Sequence, residues 1–227
     1  MKSANSSSLG DSLTMERRIY HFKIILLGDV AVGKTSVLSR FTKNSFSVDY
    51  KCSVGVDLES KTVFIDKKTG ALLIFWDTCG EERFRSVSRQ YYKDANGILL
   101  IFDLTNRISF ENLQTWLDDI KDYGMKDVDI CIFGNKVDNE TKRVVPFIEA
   151  KDFADRHSCS YFEVSAKEGT NITLSFESLA KSLINKDGSD QYIEKEENSI
   201  EKNRKKIIYS NIPKREKDAD KNEKCCS

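Results

Sequence analysis

Several features that would assign a chain to a particular chemistry or compartment are missing from these 227 residues. Lys+Arg and Asp+Glu both number 36, so no global basic field draws the chain to nucleic acid, and no nucleic acid partner is expected. The opening stretch from Met1 to Arg18 is unpatterned and Ser/Asn-rich, without the roughly 7 to 15 residue apolar core of a secretory signal. No apolar run approaches the roughly 20 residues of a membrane-spanning helix. These absences predict a chain made and kept in the cytosol. The six cysteines show no C-x-x-C spacing and have only two histidines for company, which argues against a clustered metal site. Cys52, Cys79, Cys131 and Cys159 stand singly and read as reduced thiols, mostly core filler. No internal repeat is visible.

What is present is a patterned middle between two polar ends. Apolar residues make up 39% of the chain, enough for the core of one α/β domain. The expected organisation is an extension at 1–18, a domain at 19–185 and a Lys/Glu/Asn/Asp-rich tail at 186–227, both ends being flexible. Six short apolar segments read as strands: FKIILLG, VDLESKTVFID, ALLIFWD, GILLIFD, DICIFGN and SYFEVSA, the second and third joined as a hairpin by Lys67 to Gly70. Helical patterns fall between them: after Lys34, around Arg83 to Ala95, from Ser109 to Tyr123, from Pro146 to His157, and from Asn171 to Ile184. Pro146 suits a first helical turn, and Thr170 or Asn171 an N-cap. The alternation predicts an α/β fold with a six-stranded, mainly parallel sheet, helices on both faces, and ligands at the carboxyl ends of the strands.

At the end of the first strand stands Gly28-Asp29-Val30-Ala31-Val32-Gly33-Lys34-Thr35, followed by a helical pattern beginning at Ser36. This is the G-x-x-x-x-G-K-[ST] phosphate loop in its required strand, loop, helix context. The glycines let backbone N–H groups turn toward a β-phosphate, Lys34 neutralises the β/γ oxygens, and the Thr35 hydroxyl is a ligand for Mg²⁺. Such a loop alone could belong to an ATPase, a kinase or a GTPase. Three further segments decide between these. Asn135-Lys136-Val137-Asp138 ends a strand, where the Asp138 carboxylate can accept from both N1–H and N2–H of the base and the Lys136 stem can lie over it. Ser165-Ala166-Lys167 can place a backbone N–H against O6. Asp77-Thr78-Cys79-Gly80 follows ALLIFW, where Asp77 can hold Mg²⁺ through water and the Gly80 N–H can meet the γ-phosphate.

From about Tyr20 to Ile184 the chain resembles the Ras superfamily of GTPases, the Rab branch in particular, through SVGVDL, KTVFID, WDTCGEERFRSV and YYKDA. The resemblance implies a P-loop GTPase fold and a GTP/GDP switch that recruits effectors to membranes in vesicle trafficking. It implies that Phe46 packs edge-on to guanine and that Ser53 supplies a second hydroxyl to Mg²⁺. It further implies that Leu58, Trp76 and Tyr91 form an apolar patch read by effectors, although for Trp76 and Tyr91 plain core packing is an alternative. Expected partners are an exchange factor, a GTPase-activating protein, an escort protein or GDP dissociation inhibitor, and effectors. The switch itself is expected to be a monomer.

Some positions depart from the family pattern. Ser53 replaces Thr and keeps the hydroxyl; Leu58 replaces Phe. Glu81 stands where a Gln orients the attacking water, and adds negative charge beside the γ-phosphate, or else accepts a proton better than an amide. Val30 and Ala31 add methyl groups where the water and an inserted arginine must fit. Gly80, Glu81 and Lys34 are thus the candidate catalytic residues, with slow intrinsic hydrolysis expected. Activating proteins of this branch are thought to insert both an Arg and a Gln, which could offset the missing Gln. A nucleotide-loaded effector platform with negligible hydrolysis is the alternative, and a metabolite kinase would not need Asn135, Lys136 and Asp138.

The chain ends Lys224-Cys225-Cys226-Ser227, which is not C-a-a-X but resembles the paired-cysteine endings that receive geranylgeranyl groups. Two lipids give stable anchoring where one gives marginal binding, at about 0.8 kcal/mol per buried CH₂. The expectation is residence on the cytoplasmic face of an intracellular membrane, cycling with the cytosol. Basic residues of the tail are offset by acidic neighbours, so a polybasic anchor is not expected. Ile207, Ile208 and Ile212 form an apolar cluster that either docks on the escort protein or has no partner.

Overall fold

Successive residues of a strand leave the sheet on opposite faces, so a strand apolar at every position must be covered on both sides. The last four residues of the first strand, Ile24 to Leu27, meet that condition. In a computed structural model that describes residues 17–48, 56–78, 85–186 and 191–194, with backbone alone for 85–88 and 191–194, β1 runs Arg17–Leu27. Ile24 and Leu26 enter one core cluster and Ile25 and Leu27 the other, all fully buried. The remaining strands are β2 (Val56–Phe64), β3 (Thr69–Thr78), β4 (Gly97–Asp103), β5 (Asp129–Asn135), β6 (Ser160–Val164) and β7 (Gln191–Glu194). The sheet order is β2-β3-β1-β4-β5-β6, with β7 beside β1. The β1–β3, β1–β4, β4–β5 and β5–β6 pairs are parallel, while the β2–β3 hairpin and β1–β7 are antiparallel.

The first core face is covered by α1 (Lys34–Lys43) and by α6 (Ile172–Lys186). Phe41 and Phe176 stack with centroids 3.8 Å apart, and Phe75 and Phe133 meet Phe176 edge-on at 5.5 and 5.6 Å. Helices α2 (Arg85–Tyr92), α3 (Arg107–Glu111), α4 (Leu113–Tyr123) and α5 (Phe147–Arg156) cover the second face, with Tyr92, Phe110, Trp116 and Ala154 in its cluster. Cys131 and Cys159 are free, buried thiols, whereas Cys52 and Cys79 lie outside the described residues.

Four boundaries differ from the sequence reading. Arg17 and Arg18, expected in the extension, open β1, because Arg18 N–H donates to Lys68 of the β2–β3 turn at 2.7 Å. Gln191–Glu194 pairs with Arg17–Tyr20 inside the expected tail, a seventh strand too short to stand out from its polar surroundings. The helix expected at Ser109–Tyr123 starts earlier, where the Asn106 side chain caps the Ile108 and Ser109 amides, and is divided at Asn112 into α3 and α4. Pro146 sits one residue outside α5, at the N-cap with extended ψ.

The order places β3 on one side of β1 and β4 on the other, which is the topological switch point of an open parallel sheet. A crevice therefore opens at the carboxyl ends of β1, β3 and β4. β5 and β6 extend the same rim.

Candidate functional site

Five strand ends supply this rim: Gly28 after β1, Asp77 in β3, Asp103 ending β4, Asn135 ending β5, and Ser165 after β6. The loop from Gly28 to Gly33 owes its course to two glycines. Gly28 has φ +134 and Gly33 φ +97; a Cβ on Gly28 would lie 2.0 Å from the Ile101 carbonyl oxygen, and one on Gly33 2.4 Å from Asn135 Nδ2. Ala31 also holds a positive φ, 62°, which costs a non-glycine residue roughly 1 to 2 kcal/mol. Lys34 is buried at the start of α1 and donates from Nζ to the Gly28 and Asp29 carbonyls at 2.9 and 2.7 Å. Val32 is buried, Ser36 half-buried, and Val30 is 45% exposed at the lip of the loop.

Next to the lysine, Thr35 Oγ1 donates to Asp77 Oδ2 at 2.6 Å. Asp77 is 1% exposed, and its other oxygen is buried without a hydrogen-bond partner. Burial pushes its carboxyl up to about 6, the Asp57 and Glu59 carboxylates adding to the rise, and the Thr35 hydroxyl and Lys34 ammonium offset only part of it. A buried, unpartnered carboxylate oxygen beside a hydroxyl is a donor set whose chemistry fits a hard cation.

The far end of the rim is held by cross-braces. Asn135 donates from Nδ2 to the Val32 carbonyl at 2.9 Å and accepts the Ala166 N–H at 3.2 Å, so it joins the phosphate loop to the loop after β6. Lys136, at φ 70, places its ammonium 2.7 Å from Asp103 Oδ2 and 3.0 Å from the Ala31 carbonyl, and its stem spans the gap between β5 and the phosphate loop. Asp138 accepts the Ser165 hydroxyl at 2.6 Å, and Lys167 Nζ lies 3.8 Å from its other oxygen. The Ser165 oxygen in turn accepts the Glu168 N–H at 2.9 Å.

Two braces carry no sequence signature. Arg40, on α1, donates from Nε to the Ala166 carbonyl and from Nη2 to the Lys167 carbonyl, both at 2.7 Å, and so clamps the loop that carries those residues. Nothing in the spacing around Arg40 marks it. Asp103, the polar residue closing an otherwise apolar strand at the rim, belongs to no motif of the sequence, and only the sheet order brings it to Lys136. Phe46 stands in the loop after α1 with 37% exposure. Leu58 lies directly across the β2–β3 ladder from Trp76, whose ring centroid is 5.0 Å from Tyr91; all three are half-buried. Ser53, Gly80, Glu81, Cys225, Cys226 and the Ile207, Ile208, Ile212 cluster lie outside the described residues.

A phosphate loop at the switch point of a parallel sheet, with a carboxylate-bearing loop two strands further along the rim, defines a nucleotide-binding protein of the P-loop class. The comparisons name the group within that class. The chain belongs to the Ras family, whose family model matches residues 23–185. The Ras-related protein Rab-1 of Theileria parva is 44% identical over 179 residues, 78% of this chain and 80% of that protein. The Ras-related protein RABA4d of Arabidopsis thaliana is 44% identical over 157 residues, 69% and 70% of the two chains. The Ras-related protein Rab11A of Lotus japonicus is 40% identical over 166 residues, 73% of each. With these relatives, the chain is a Rab-like small GTPase: it binds guanine nucleotide, hydrolyses GTP and acts in vesicle trafficking.

Proposed function

We propose that the rim holds GTP or GDP together with Mg²⁺ and that the hydrolytic step is intrinsically slow. The observation that carries the cation is the buried, unpartnered Asp77 oxygen beside the Thr35 hydroxyl. Thr35, Asp77 and Ser53 would hold the ion, which when bound supplies charge neutralisation at the β/γ oxygens. Lys34 meets the same oxygens from the loop side. Asp138 reads the N1–H and N2–H edge of guanine, Ala166 and Lys167 offer backbone near O6, and Asn135 keeps the two loops at a fixed separation. Phe46 covers the base from the loop after α1. The γ-phosphate and the attacking water fall to Gly80 and Glu81 by the sequence pattern alone, while the methyl groups of Val30 and Ala31 narrow the space for that water. Single-turnover phosphate release from the purified GTP complex tests this: release slower than in a Gln-bearing relative is expected, and a matching rate refutes it. Glu81→Gln then separates the causes, since an unchanged rate assigns the slowness to Val30 and Ala31.

The proposal extends to the membrane. Cys225 and Cys226 carry geranylgeranyl groups, the chain cycles as a monomer between cytosol and the cytoplasmic face of an intracellular membrane, and an escort protein or GDP dissociation inhibitor covers the lipids in transit. Exchange factor and GTPase-activating protein set the bound nucleotide, and the half-buried Leu58, Trp76 and Tyr91 patch presents the GTP state to effectors. The segment before Arg17 and the segment after Glu194 serve the domain as extension and lipid-bearing tail.

A further inference from the structure

A carboxylate inside a loop built to receive phosphate opposes its ligand by charge, unless something turns it away from the loop. Asp29 is such a residue, and both of its side-chain oxygens accept from α4 and its cap. Asn112 Nδ2 donates to Oδ2 at 2.7 Å, and Trp116 Nε1 donates to Oδ1 at 2.9 Å. On its main-chain side the same residue receives Lys34 Nζ at 2.7 Å. Asp29 is therefore the joint between the phosphate-binding lysine and the start of α4.

The anchor is rigid. Trp116 is 1% exposed, its ring part of the core cluster on that face of the sheet. Asn112 and Trp116 are four residues apart and share a helix face, and the next residue on that face, Asp119, accepts Arg89 Nη2 from α2 at 2.7 Å. The Arg89 guanidinium lies 4.3 Å from the ring of Tyr123, one turn further along the face. One stripe of α4 thus grips the phosphate loop at one end and α2, the helix that follows the Asp77 strand in the chain, at the other.

We propose that Asn112 and Trp116 are positioning residues for phosphate binding: acting through the Asp29 carboxylate, they hold the loop carbonyls at Lys34 and keep the loop in its phosphate-receiving course. Nucleotide retention then depends on residues outside the phosphate loop. This rests on the phosphate-loop reading of Gly28 to Thr35, so the wild-type full chain is measured first, by release of fluorescent GDP into excess unlabelled GDP. Trp116→Phe keeps the aromatic bulk and removes the donor, and Asn112→Ala removes the other donor at a half-buried position should the first variant fold poorly. Each is expected to speed release about tenfold, the worth of one charge-assisted hydrogen bond. The factor should be the same for GDP and inosine diphosphate, because the base edge is not involved. Asp29→Ala with Trp116→Phe should release no faster than Asp29→Ala alone, since both act through one joint. A lowered melting temperature with unchanged release would assign Trp116 and Asn112 to packing alone and overturn the proposal, as would additive effects in the double variant. Failure of the wild type to retain fluorescent GDP would instead overturn the guanine site and the proposal with it.

Discussion

Single residues at the rim differ in how much each holds, and the contacts rank them. Asp138 combines the expected base contacts with the Ser165 hydroxyl at 2.6 Å. Asp138→Ala should weaken GDP binding by about 3 kcal/mol, somewhat over a hundredfold, whereas Ser165→Ala removes one donor to that carboxylate and should cost about 1.5 kcal/mol. Equilibrium titration with fluorescent GDP measures both, and equal losses would contradict the ranking. Ala31 poses a subtler balance. Replacing it with Gly relieves a left-handed backbone worth roughly 1 to 2 kcal/mol, while the freer unfolded chain costs roughly 0.5 to 1 kcal/mol. The midpoint of thermal unfolding should therefore shift by only a few degrees. Phosphate release should quicken if the lost methyl is part of the obstruction. At this scale the glycines, Lys34, Thr35 and Asp138 were legible because a phosphate and a purine edge dictate spacing along the chain. Arg40 and Trp116 were not, since each reaches its partner only across the fold, 126 and 87 residues away in sequence.

The elements were legible where burial on both faces leaves a long apolar signature, as in GILLIFD, every residue of which is buried in β4. They were misjudged at local divisions of an element. Asn112 keeps a helical backbone, its N–H donating to the Ile108 carbonyl at 2.9 Å while its side chain turns to Asp29, and no periodicity reveals that α3 and α4 divide there. Packing of α6 on the sheet turns on Phe176, which stacks on Phe41 and meets two more rings edge-on. Phe176→Ala should lower stability by about 3 to 5 kcal/mol, seen as a reduced denaturation midpoint of the GDP complex. A loss under about 1 kcal/mol would mean that the core closes over the gap. The two buried thiols give a chemical check on the same packing. Burial pushes Cys159 up to about 11 and Cys131 higher than its ordinary value, so neither should be alkylated in the folded chain at neutral pH, as peptide mapping by mass spectrometry would show.

For the molecule as a whole, no described helix is long and apolar enough to cross a membrane, and the proposed attachment is the lipid pair on Cys225 and Cys226. Replacing Cys225 and Cys226 with Ser should move a tagged chain from membrane to soluble fractions on cell fractionation, and retention on membranes would remove the lipid anchor. Chelating Mg²⁺ should speed GDP release roughly tenfold or more, because the Asp77 and Thr35 pair is otherwise left without its cation. The chelation test presupposes that one rim of the sheet is shaped for guanine nucleotide. That claim is tested most directly by competition: fluorescent GDP bound to the purified chain, challenged in parallel with GDP and with ADP. Displacement by GDP at near-stoichiometric concentration, and none by ADP in large excess, is the predicted result; equal displacement by the two would contradict it.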